Sequence, residues 1–144
     1  MSLEKSETLH ANCVAIDGKG LLILGASGSG KSTLTLQLLG LGADLVSDDR
    51  TIITSDGLSL RAEAPFAIKG LLEARGVGIL TVPSVSWVTL TVIVDLDQIE
   101  TERLPINHKR PILGVSLSCL NKMDGPTFPI ALLHYMKNGR QDVE

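Results

Sequence analysis

Aromatic side chains are nearly absent. Trp87, Tyr135, Phe66 and Phe128 make up the whole set, 3% of 144 residues. The core must therefore be built from Leu, Ile, Val and Ala, and no aromatic ladder exists on which single-stranded nucleic acid would stack. No run of Lys and Arg exists either. With a net charge of -3 and a pI of about 5.6, nucleic acid is not expected as a partner. The two cysteines, Cys13 and Cys119, are far apart and form no C-x-x-C pair. That excludes the usual zinc and redox spacings and reads as two reduced thiols. No apolar run approaches the roughly 18 residues of a membrane helix. The start lacks a basic region followed by an apolar stretch, so no signal peptide is expected. Met1-Ser2-Leu3 reads as a cloning scar. The expected compartment is the cytoplasm.

What is present is a globular composition, 44% hydrophobic and 20% charged, long enough for a single domain over residues 1–144 with one core. His10–Ile16 and Leu21–Leu24 read as strands joined by Asp17-Gly18-Lys19-Gly20, a hairpin. Lys31–Leu39 reads as a helix with Leu34, Leu38 and Leu39 on one face and Gly40 as its stop. Asp44–Ser47 is a short strand. Arg50–Thr54 and Leu58–Ala62 flank Ser55-Asp56-Gly57 as a second hairpin. Ile68–Ala74 reads as a helical turn, while Gly76–Val82, Val85–Val94 and Ile112–Leu120 read as strands. Phe128–Lys137 reads as a helix opened by Pro129. The class is α/β, a mixed sheet with hairpins and flanking helices.

One motif carries chemistry. Gly25-Ala26-Ser27-Gly28-Ser29-Gly30-Lys31-Ser32 matches GxxxxGK[ST], the P-loop, with an apolar strand before it and a helix after it. Its glycines let backbone N–H groups converge on phosphate oxygens, and the helix adds its positive end. Lys31 supplies charge to the β- and γ-phosphates of ATP, and the Ser32 hydroxyl is suited to Mg²⁺. Asp48 and Asp49 end the next strand, 16 residues after Ser32. In a parallel arrangement that strand ends on the same edge as the P-loop strand. An Asp there serves either to take a proton from an attacking hydroxyl or to hold the metal. Alternation along a strand points the two carboxylates opposite ways. Glu73 and Arg75 lie among Gly70, Gly76 and Gly78. His10, and His108-Lys109-Arg110 before Pro111, read alone as a surface histidine and a basic loop.

Together these residues resemble a family. The run from His10 through the P-loop and Leu45-Val-Ser-Asp48-Asp49-Arg50 to Leu71-Leu-Glu73-Ala-Arg75-Gly-Val-Gly-Ile79 is similar to HPr kinase/phosphorylase, and Leu104–Arg110 extends the likeness. The resemblance implies a phosphoenolpyruvate-carboxykinase-like fold and ATP-dependent phosphorylation of a serine on the phosphocarrier protein HPr. It implies a place in control of carbohydrate metabolism through the phosphotransferase system. Many members also run the reverse, phosphorolytic reaction. By resemblance His10 matches the active-site His, Lys31 the P-loop Lys, and the pair Asp48-Asp49 contains the proton acceptor. Ser32 and Glu73 match Mg²⁺ ligands, and Arg110 matches an Arg near the phosphate. The family also implies a homo-oligomer, a hexamer. Departures are Thr33, where the family usually has an acidic residue, a divergent stretch after Cys119, and a start directly at the kinase domain. Other readings are an unrelated small P-loop kinase or ATPase, which usually needs an Arg-rich lid or an acid after a later strand, and a non-catalytic nucleotide-binding module.

Overall fold

The computed structural model describes residues 4–142; Met1-Ser2-Leu3 lies outside them. In chain order the elements are β1 (Lys5–Ile16), β2 (Lys19–Leu24), α1 (Lys31–Gly40), β3 (Asp44–Ser47), β4 (Arg50–Ser55) and β5 (Leu60–Glu63). After a 3-10 turn at Phe66–Ile68 come β6 (Leu71–Ala74), β7 (Gly78–Thr81), β8 (Val88–Ile99), β9 (His108–Ile112), β10 (Val115–Lys122) and α2 (Phe128–Asn138).

The sheet closes on itself. β1 pairs with β2 along one edge; along the other it takes β4 near its start and β3 near its end. β5 joins β4 to β8, and β8 returns to β2 in parallel register, Leu24 opposite Asp95. The order β2-β1-β4-β5-β8 is thus a ring, from which β10 and β9 extend outward. β6 and β7 form a separate ribbon.

Because strand side chains alternate, the inner strands are apolar on both faces. Cys13, Ala15 and Leu22 face one cluster with Ile53, Leu60 and Ile93. Val14, Ile16, Leu21 and Ile23 face the other, against Leu34 and Leu38 of α1 and Leu132 and Met136 of α2. No described helix is long and apolar enough to cross a membrane.

Several expectations change in detail. The first hairpin turns in two residues, with Asp17 at φ 52° and Gly18 at φ 72°, the conformation that suits strand twist; Lys19 and Gly20 already belong to β2. α1 includes Gly40, and the left-handed residue that ends it is Gly42, φ 103°. Ile68–Ala74 is not a helical turn: Leu71–Ala74 is a strand whose buried residues are Leu72 and Ala74, a period of two. Ile112–Leu120 is two strands, because Leu113 and Gly114 both take positive φ and reverse the chain.

Candidate active site

The P-loop leaves β2 at Leu24 and enters α1 at Lys31. Gly25 admits no side chain, since a Cβ there would run into Ser29 and sit 3.1 Å from Cβ of Leu96. Gly30, φ 104°, caps α1 without a side-chain hydrogen bond. The first-turn N–H groups have no intrahelical acceptor, so they suit an anion. Lys31 is 6% exposed; its Nζ donates to the carbonyls of Gly25 at 2.6 Å and Ala26 at 3.2 Å. Ser32 and Thr33 are exposed at the start of the helix.

The aspartate pair comes to the same end of the sheet. β3 pairs with β1, so one antiparallel strand stands between it and β2. β2 and β3 therefore run parallel and end on one edge. Simple alternation fails here, because Asp49 is left-handed at φ 68°. Asn12 holds the turn. Its Nδ2 donates to Asp48 Oδ1 and to Thr35 Oγ1, both at 2.9 Å, and its Oδ1 accepts the Asp49 N–H at 3.0 Å. Thr35 in turn donates to the Lys31 carbonyl. One buried amide thus ties the aspartates to the first turn of the P-loop helix.

The two carboxylates differ. Asp48 is half-buried, and both its oxygens are engaged, by Asn12 and by the Glu73 N–H at 3.0 Å. Asp49 is 59% exposed and pairs with His10 Nε2. The structure thus brings His10, Asp48, Asp49 and the backbone of Glu73 together beside the P-loop, with the Glu73 side chain exposed.

Arg110 lies in β9 and not in a loop. Its guanidinium bonds Asp95 Oδ2 at 2.9 Å, on the far side of the P-loop strand. Asp95 also accepts the Asp97 N–H, and both Asp97 oxygens lie 3.0 Å from the Ala26 N–H of the loop. Asn12, Asp95 and Asp97 were missed from sequence. The signal for the last two was an apolar strand running into Asp95-Leu96-Asp97, beside the strand that feeds the loop.

Among the described residues no cluster of three or more His, Cys, Asp or Glu could hold a metal alone. A cavity of about 450 Å³ opens at the opposite edge near Asp17, Asp44 and Trp87 and touches none of the site residues described above.

A family model, HPr Serine kinase C-terminal domain, matches residues 1–118. Curated relatives named HPr kinase/phosphorylase include those of Clostridium tetani, 39% identical over 119 residues, 74% of this chain and 39% of the relative, and Alkaliphilus metalliredigens, 36% identical over 143 residues, 90% and 44%. That of Mycoplasmopsis pulmonis is 38% identical over 81 residues, 56% and 26%. The chain thus spans less than half the length of these relatives. A solved structure described as the Hpr(Ser) kinase/phosphatase from Coxiella burnetii aligns with TM-score 0.76 and 25% identity, covering 92% of this chain and 95% of that one. The closed mixed sheet with flanking helices is the fold of that structure, and the chain belongs to the HPr serine kinase C-terminal domain family.

Proposed function

We propose that this chain is a protein serine kinase domain that transfers the γ-phosphoryl group of ATP to a serine of HPr. The observation that carries the reading is the aspartate turn fastened by Asn12 to the first turn of the P-loop helix. Loop amides and Lys31 hold the β- and γ-phosphates; Lys31 exchanges the Gly25 and Ala26 carbonyls for phosphate oxygens. The serine oxygen attacks the γ-phosphorus in line, the bond to the β-phosphate oxygen breaks, and ADP leaves. Asp49 accepts the serine proton, because its carboxylate is exposed and Asp48's oxygens are engaged. His10 orients Asp49. Ser32 and Glu73 are the residues that would hold Mg²⁺, whose charge when bound neutralises the phosphates. Positioning and charge stabilisation supply most of the acceleration.

Relatives carry the name kinase/phosphorylase, and the same site run backward would take inorganic phosphate and phosphoserine to pyrophosphate and serine. The test is purified protein with ATP, Mg²⁺ and HPr, read by the intact mass of HPr. One added phosphoryl group, lost with Lys31→Ala, is expected. An unmodified HPr, while a small metabolite is phosphorylated by the same sample, would overturn the reading.

A further inference from the structure

A cavity of about 190 Å³ adjoins the P-loop. It is below the roughly 300 Å³ at which pockets take a whole drug-sized molecule, so it suits a flat ring system. The buried floor is Leu34 of α1, Leu96 of β8 and Pro129 of α2, with Phe128 partly exposed beside them. Gln37 and Asp124 supply polar groups at the rim. The cavity is continuous with the phosphate loop, because Ser29, Gly30 and Thr33 line it too. Lys122 stands at the junction, its Nζ 3.5 Å from the Ser29 carbonyl. Much of the wall, from Lys122 to Pro129, lies beyond the stretch matched by the family model.

We infer that this slot holds the base of the nucleotide whose phosphates sit on the loop. The inference rests on the phosphate-loop reading above. A nucleotide with its β-phosphate over Gly30 continues past Thr33, where Lys122 meets the remaining phosphate charge. The base then lies on an apolar floor with its polar edge toward Gln37 and Asp124. Stacking and burial of one base correspond to about tenfold or more in affinity.

The test compares ATP with inorganic tripolyphosphate by calorimetry in the presence of Mg²⁺, on the full chain. Wild type is expected to bind ATP at least about tenfold more tightly than tripolyphosphate. Gln37→Trp, an exposed position on α1, should fill the slot and remove that preference while leaving tripolyphosphate affinity unchanged. Met123→Ser, at an exposed rim residue, should weaken ATP binding alone. ATP binding at wild-type strength in both variants would overturn the slot, as would an equal loss for both ligands. Tripolyphosphate binding without any preference for ATP would also overturn it and leave the loop standing. Binding of neither ligand by wild type would remove the phosphate-loop reading and this inference together.

Discussion

Asn12→Ala separates the architecture of the site from its chemistry. Asn12 is 1% exposed, and its amide makes three hydrogen bonds, to Thr35, Asp48 and the Asp49 N–H. A neutral bond contributes about 1 kcal/mol net and a bond to a charged group about 1.5–3. Two neutral bonds and one charged bond give roughly 4 kcal/mol; water reaching the partly exposed aspartates recovers some of that, so the expected loss is about 3 kcal/mol. Urea unfolding with linear extrapolation measures it. At urea concentrations where the variant stays folded, phosphoryl transfer should fall while ATP affinity holds, since Asn12 touches the aspartate turn and not the loop amides. A stability change below about 1 kcal/mol, within the effect of an ordinary surface substitution or little more, would refute the role given to this amide. So would an unchanged transfer rate.

Asp49→Asn should lower the transfer rate about 10²- to 10⁴-fold with ATP still bound, as expected for loss of a general base; an equal loss from Asp48→Asn, with no loss of stability, would contradict the assignment. Asp48→Asn should instead be read mainly in urea unfolding, because its carboxylate is tied to Asn12 and the Glu73 N–H. Arg110→Ala tests the role near the phosphate that the resemblance implies for it: a charge reaching the transferring group would make the variant lower kcat more than it raises KM for HPr; a wild-type kcat would leave Arg110 only its bond to Asp95. The chain should form a homo-oligomer, given exposed Leu58, Phe66, Val77, Ile79 and Ile106; a monomeric mass by light scattering at high concentration would reject this.

The sequence was most legible where chemistry is local. Asp-Gly turns, the glycine spacing of the loop and the apolar run before it each determine their own geometry, so the first hairpin and the P-loop stood out. It was less legible where a residue acts through a distant partner. Asn12 sits in an apolar strand, and nothing within β1 says that Thr35 and Asp48 will meet it. Leu71–Ala74 has helix-forming residues, yet pairing with β7 overrides propensity. Leu113 hid a reversal because a leucine at φ 47° is uncommon and continues an apolar pattern. The Asp48-Asp49 pair was visible, but the different surroundings of its two carboxylates were not, since positive φ at Asp49 breaks the alternation used to orient it.

The placement of Asp95 and Asp97 depends on one irregularity. Gly20 pairs with Leu90 but Leu21 with Val92, so Thr91 is an extra residue in β8. Before it, Val88 and Leu90 face the same cluster; after it, Ile93 faces that cluster while Val92, Val94 and Leu96 face the helices. A bulge of this kind re-aims every later side chain. Without it, Asp95 and Asp97 would take the parity of the helix-facing residues, and neither the Ala26 N–H nor Arg110 would find its carboxylate. Gly20 permits the close approach: a Cβ there would lie 2.7 Å from Val88 Cγ1 and 2.9 Å from the Thr89 carbonyl oxygen. One of these atoms is backbone, so β8 itself must move. Gly20→Ala should therefore cost about 1–3 kcal/mol, the usual range for overpacking, although alanine is otherwise acceptable in a strand. It should also weaken ATP binding at a position remote from the loop, because the shifted strand carries Asp97 away from Ala26. Urea unfolding and calorimetry on the same variant read both effects. A loss of stability with unchanged ATP affinity would show that the loop holds its shape without Asp97, and the brace between β8 and the P-loop would then have no part in binding.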